Sequence, residues 1–123
     1  MTIEEKDDRV YIAPSKIPGA GKGLFAKVPF AAGDVVEVIG ILVRTNSIAD
    51  ECTRYADAYK FRVGDFLLIP MGYGGIVNHS SSPNMEKIIK GQCVYLRALR
   101  LIQKDEELLF VYSPYAQERY GLR

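Results

Sequence analysis

The sequence has no tryptophan, one histidine and two cysteines in 123 residues. Two isolated cysteines, Cys52 and Cys93, supply neither a disulfide framework nor a cysteine-rich zinc site, so a reducing, intracellular compartment is the expectation. A lone histidine with no cysteine partner at finger spacing leaves no metal site to expect. Charge of one sign is lacking as well. Sixteen basic and 15 acidic residues leave a formal net charge of +1, which excludes the electrostatic footprint of a nucleic-acid binder or of a protein drawn to an anionic membrane. No window approaches the ~20 consecutive apolar residues of a membrane span, and the start, MTIEEKDDR, has no apolar signal-peptide segment. What remains is an ordinary globular composition, 48% hydrophobic and 25% charged. A single domain of this length buries roughly two-thirds of its unfolded surface.

Glycine, by contrast, is plentiful, and its densest use falls in MGYGGIVNHSSSPN, residues 71–84. Glycines, serines and a proline rule out a regular helix or a central strand there. Ile76 and Val77 in its middle predict burial, as a buried loop or a distorted helical turn. Irregular backbone that is buried needs partners for its polar groups, and a polar ligand is one such partner.

Most of the remaining chain reads as short strands with turn signals every eight to twelve residues, a β-dominated pattern. Residues 9–13 form a strand stopped by Pro14, and residues 15–26 a glycine-rich loop running into another strand. Residues 28–34 make a turn. The apolar run 35–43, VVEVIGILV, reads as one buried strand, with Gly40 marking a bulge or a close backbone approach. The one helical pattern covers residues 45–59, with Asn46 or Ser47 as cap and apolar or aromatic residues at 48, 52, 55, 56 and 59. Hairpins follow around Gly64-Asp65 and around Lys90-Gly91-Gln92. Lys104-Asp105-Glu106 is a turn, residues 108–112 are a last strand, and the tail from Ser113 onward forms a short helix.

Single motifs exclude more than they assign. GAGKG at 19–23 lacks the spacing of a phosphate-binding P-loop, and Gly23 then Leu24 follow Lys22 where a serine or threonine would be needed. Ser80, adjacent to His79 in sequence, does not supply the facing nucleophile of a hydrolase triad. On its own terms His79 reads as a structural loop residue. Eight tyrosines fit half-buried strand positions or, clustered, a site for a cation.

Three segments taken together resemble the SET-domain family. Gly21-Lys22-Gly23-Leu24-Phe25-Ala26 resembles its opening GxG motif, and Asn78-His79-Ser80-Ser81-Ser82-Pro83-Asn84 its NHSCxPN signature, with Ser81 in place of the cysteine. ALRLIQKDEELLFVY, residues 98–112, resembles its closing run. The departures are Asp105 for the usual glycine, Val111 for the acid before the final tyrosine, and Val38 where many members carry tyrosine. The resemblance implies a mainly β, β-clip fold of small curled sheets with little helix, whose C-terminal strand threads beneath the NHS loop as a pseudoknot. It implies one SET domain over residues 1–123, with a core of about 9–113 and a tail of 114–123.

The function that the resemblance implies is S-adenosylmethionine-dependent methylation of a protein lysine, with a histone or histone-like tail among the substrates and a di- or trimethyl product. By the same resemblance Tyr112 and Tyr59 are catalytic and Phe110 and Tyr73 line the lysine channel. Gly21, Lys22, Gly23, Asn78 and His79 hold the cofactor. Tyr115 covers its adenine, with Tyr120 an alternative. Asp50, Glu51 and Asp57 offer either attraction for a basic tail or a merely solvated face. The compartment is then the cytoplasm of a bacterium or, for a viral or eukaryotic source, the nucleus. No nucleic acid or membrane is expected as a direct partner, and a homodimer is left open. A non-catalytic module that holds a lysine peptide or the cofactor is the rival reading, favoured by Val38 and Val111.

Overall fold

Four small sheets, none wider than three strands, make up the architecture of the chain, for which a computed structural model describes residues 5–57 and 60–120. Strands β1 (Val10–Pro14) and β2 (Lys22–Ala26) pair antiparallel. Strand β3 (Val35–Val38) lies against β9 (Cys93–Ala98), which also pairs with β8 (Met85–Lys90). A third sheet has the order β4 (Gly40–Arg44), β6 (Phe66–Pro70), β5 (Phe61–Val63). The fourth is a parallel pair of two-residue strands, β7 (Asn78–His79) and β10 (Leu109–Phe110). Two short helices, α1 (Ile48–Cys52) and α2 (Pro114–Tyr120), complete the described elements with single 3-10 turns at Arg54–Ala56 and Tyr73–Gly75.

Both expected hairpins are present, and Gly64 and Gly91 turn them with φ near +60°. The sheets share one core. Leu24, Phe30, Val36, Met85, Val94, Leu96, Ile102 and Leu108 are all nearly or fully inaccessible, and every strand with an alternating pattern turns its apolar face into this cluster.

Three sequence expectations require correction. The apolar run 35–43 is two strands in two different sheets. The chain leaves β3 at Ile39, and at Gly40 the β4 backbone meets β6 so closely that a Cβ would overlap the Ile69 carbonyl oxygen. The close approach was legible at Gly40, but the change of sheet was not.

The helix expected over 45–59 is a five-residue α1 followed by a 3-10 turn. Ser47 caps it, its Oγ accepting from the Asp50 N–H. The helix stops because Thr53 turns back on it. The Thr53 hydroxyl donates to the carbonyls of Ala49 and Asp50, and its N–H donates to Asp50 as well, which tightens the backbone to i→i+3 spacing. The expected apolar face is not buried along α1: Ile48 is 80% exposed and α1 has no buried residue, while Ala56 is buried in the 3-10 turn that follows.

The last strand is shorter than residues 108–112 suggest. Only Leu109 and Phe110 pair regularly, because the backbone of this run bonds in turn to several different segments.

Candidate active site

The site is built around a threaded crossing. Residues 107–112 pass along the inside of the 78–84 loop, and hydrogen bonds from both close around them. Asn84, 3% exposed, is the fastening. Its Nδ2 donates to the Glu107 carbonyl at 2.8 Å, and its Oδ1 accepts from the Leu109 N–H at 2.9 Å. The Ser80 N–H donates to the Phe110 carbonyl at 3.1 Å. Asn84 can be buried at the end of an irregular, half-buried loop because its polar groups are satisfied by the segment the loop packs against.

At the end of the crossing stands Tyr112, fixed at two points. Its N–H donates to His79 Nδ1 at 3.0 Å, and its hydroxyl donates to the Val77 carbonyl at 3.0 Å. His79 therefore uses one ring nitrogen as an acceptor for backbone, and its ring lies 5.3 Å from that of Tyr112. Its backbone holds the register of β7 against β10. The α2 helix closes the far side, with Gln117 Nε2 donating to the Tyr112 carbonyl at 2.8 Å.

The opening glycine loop is tied to the same crossing. Asn78 Nδ2 donates to the Lys22 carbonyl at 2.9 Å and to Glu107 Oε2 at 3.2 Å. Glu107, 6% exposed, also accepts from the Ser15 hydroxyl at 2.7 Å and the Lys16 N–H at 2.9 Å. Its carboxylate sits where a side chain on Gly23 would have to be, so Gly23 is required for the carboxylate to reach these donors. Gly21, with φ +72°, leaves open space above the loop. Residues 21 and 22 are thus exposed, with open space beside the Gly21 backbone.

Beside Tyr112 opens a cleft lined by Lys60, Phe61, Val77, Lys87, Phe110 and Ala116 among others. Its wall is aromatic. Phe61 stacks on Phe110 at 5.9 Å between ring centroids, and Phe110 lies tilted against Tyr112 at 5.1 Å. At its edge the Lys60 ammonium, 1% exposed, donates to Asp50 Oδ1 and Asp57 Oδ1 at 2.7 Å each. Burial by itself would lower the pKa of Lys60, but the bonds to the two carboxylates outweigh it and hold the pKa above its ordinary value. Asp50 is held below the usual carboxylate range, first by Lys60 and then by the Asn46 N–H.

The structure thus brings together Gly21, Lys22, Gly23, Asn78, His79, Phe110 and Tyr112. Two other residues stand apart from the cleft wall. Tyr73 packs on the core in its 3-10 turn, and its neighbours Gly74 and Gly75 line the cleft in its place. Tyr115 is 55% exposed on α2, while the adjacent Ala116 faces the cleft. Tyr59 and the Tyr120 side chain lie outside the described part of the structure. Val38, where a tyrosine was expected, is buried beneath Gly74. Sequence reasoning missed Glu107, Asn84 and Phe61. Glu107 and Asn84 were visible as the second acid of the closing run and the last residue of NHSSSPN. Phe61 carried no signal beyond a strand position.

The comparisons with known proteins agree with this arrangement. The model of the SET-domain family matches residues 21–113. Histone-lysine N-methyltransferase 2B of Homo sapiens is 34% identical over 107 residues, which are 76% of this chain and 4% of that protein. The histone H3-lysine(4) N-trimethyltransferase ATX1 of Arabidopsis thaliana is 36% identical over 108 residues, 75% of this chain and 10% of that protein. The chain therefore spans a tenth or less of the length of these curated relatives. Among solved structures, a candidate histone methyltransferase of Plasmodium falciparum superposes with a TM-score of 0.71 at 25% identity, covering 89% of this chain and 96% of that one. An active polycomb repressive complex 2 in the basal state matches with a TM-score of 0.72 at 22% identity, covering 85% of this chain and 15% of that one, a likeness of fold alone. With the glycine loop, the enclosing loop and the threaded closing run all inside the matched residues, the chain belongs to the SET-domain family.

Proposed function

We propose that this domain transfers a methyl group from S-adenosylmethionine to the Nζ of a lysine in a protein, with histone tails among the candidate substrates and a di- or trimethyl product. The observation that carries the reading is the double anchoring of Tyr112 at the end of an aromatic cleft, with the glycine loop bonded to the same crossing through Asn78.

Bound S-adenosylmethionine supplies an electrophilic methyl on a positively charged sulfur. The residues present fit its binding. The open backbone at Gly21 and Lys22 suits close approach of the methionine part. Asn78, with its Nδ2 donated inward, presents its Oδ1 as the acceptor for an amino group. The β7 backbone at His79 offers groups for the adenine, and Tyr115 is an exposed ring that can cover it.

The cleft does the rest. Phe61 and Phe110 flank the aliphatic stem of the entering lysine, and their ring faces accept its charged head. The lysine must lose a proton, although its free pKa is ~10.4. Replacing its water with Phe61, Val77, Phe110 and Ala116 disfavours the charged form. Among the described residues no carboxylate or imidazole lines the cleft, so the proton leaves to solvent. The Tyr112 hydroxyl, its own proton held by the Val77 carbonyl, keeps its oxygen available to orient the amine and to receive weak CH···O contacts from the reacting methyl.

A methyl-transfer assay with labelled donor against histones and a cell extract tests the reading. Transfer to protein lysine is expected, and Tyr112→Phe should lower turnover by about a hundredfold or more while leaving donor affinity within a few-fold. A Tyr112→Phe protein with unchanged turnover would move the catalytic role elsewhere. Donor binding without transfer to any protein would favour the non-catalytic module, for which the buried Val38, a wall without a hydroxyl, is the specific argument.

A further inference from the structure

The charges around the aromatic cleft are not those of a receptor for a basic segment. Two lysines, Lys60 and Lys87, line it, with no carboxylate among the described lining residues. Lys60 is compensated by Asp50 and Asp57. Of the three acids that could have drawn in a basic tail, Asp50 and Asp57 are thereby engaged by a cation of their own chain. Glu51 is not among the residues lining the cleft, and the nearby Arg62 adds to the positive field on Asp50.

Lys87 is different. It stands exposed on β8, next to Glu86, whose carboxylate pairs with Arg97 across the hairpin. None of the ion pairs among the described residues includes Lys87. Its Nζ lies 6.0 Å from the centroid of the Phe61 ring, the ring that stacks on Phe110 to form the cleft wall. Contact with a ring face holds an ammonium in place without neutralising it.

We propose that Lys87 is a specificity-determining residue, which selects a target lysine having a carboxylate close to it in sequence and disfavours one flanked by basic residues. This rests on the reading of the cleft as the lysine channel. When the target side chain enters, its sequence neighbours stay outside, at the mouth where Lys87 stands. A flanking carboxylate there meets an uncompensated cation, and a flanking lysine or arginine meets a like charge. At an exposed site each effect is a few-fold in affinity and is screened by salt. The favoured substrate class is a lysine in an acidic or mixed-charge stretch of protein rather than in an uninterrupted basic tail.

The test uses the whole chain and synthetic twelve-residue peptides with one central lysine, flanked on both sides by glutamate, glutamine or lysine. Transfer is read by mass spectrometry of the central residue. The wild-type protein should rank glutamate above glutamine above lysine in kcat/KM, by about fivefold per step at low salt. The difference should lie in KM and shrink at high salt. Lys87→Arg should keep the order, Lys87→Gln should flatten it and Lys87→Glu should reverse it. All three should melt close to wild type, since the residue is exposed. A wild-type ranking that is flat or favours basic flanks, or an order unchanged by Lys87→Glu, overturns the proposal. A wild-type protein that methylates none of the peptides and nothing in a cell extract instead sinks the methyltransferase reading, and this proposal with it.

Discussion

Individual side chains in this molecule are held by more bonds than their types would suggest, and the clearest case is Glu107. A buried carboxylate costs stability unless its oxygens are satisfied, and here they accept from Ser15, Lys16 and Asn78. It joins the opening loop to the enclosing loop and bonds Asn78 directly, so its effect reaches the residues proposed to hold the donor. Glu107→Gln replaces an acceptor oxygen with an NH₂ facing donors. The expected cost is about 1–3 kcal/mol, seen as a lower melting temperature, together with weaker donor binding by calorimetry. Unchanged donor affinity in a destabilised variant would confine Glu107 to stability. Phe110 makes a second residue-scale case. Its ring lies between Phe61 and Tyr112 and is buried, and it has no hydroxyl to anchor a water beside the amine that the proposed function places in the cleft. Phe110→Tyr adds a hydroxyl that can hold such a water. Product analysis should then shift from di- or trimethyl toward monomethyl lysine. A wild-type protein stopping at monomethyl with excess donor would sink this role for Phe110.

Elements here are short, and their positions are set by side-chain tethers rather than by their own length. Helix α1 is far below the length at which a helix is stable alone. The Lys60 ammonium fastens it by bonding the Asp50 carboxylate, the Asp50 carbonyl and Asp57. The pKa of Asp50 is lowered from its ordinary 3.8, by Lys60 first. A carboxyl with a depressed folded-state pKa contributes stability that is present above the unfolded pKa and lost as pH falls through the folded one. Melting temperature should therefore fall as pH drops below about 3.8. Asp7 and Glu106 are shifted in the same direction, so the contribution of Asp50 is the difference between wild type and Asp50→Asn. The variant should be less stable at neutral pH and converge on wild type in acid. Parallel curves at every pH would show that the pair does not tether α1.

At the scale of the whole molecule the controlling feature is the crossing of residues 107–112 through the 78–84 loop. Threaded connections are rare because they must form after the enclosing loop is in place or be closed over by it. Here the closing run supplies Leu108 and Phe110 to the core and partners for both ends of the Asn84 amide. Ending the chain after Leu108 removes β10 and leaves Asn84 without the Leu109 N–H that its Oδ1 accepts, while β7 loses its only strand partner among the described residues. The expected result is loss of the cooperative thermal transition and of the near-ultraviolet signature of packed tyrosines. A truncated chain that still melts cooperatively would mean that the crossing is an accessory to the fold.

The sequence by itself determined the hairpins, the turn at 28–34, the irregular backbone of residues 71–84 with Val77 buried in its middle, and the family to which three ordered motifs pointed. Each is a local matter, carried by turn residues, alternation or a run of contiguous positions. Only the tertiary structure decided that the run 35–43 divides between two sheets, because the β6 backbone that excludes a Cβ at Gly40 comes from thirty residues away. The same holds for the length of α1, where burial and not periodicity would have had to sustain the helix. It holds too for the cleft, whose wall joins Phe61 of β5, Lys87 of β8, and Phe110 and Tyr112 at and just after β10. No spacing in a sequence records such a meeting, since what brings these rings together is the closing of one core around a threaded segment.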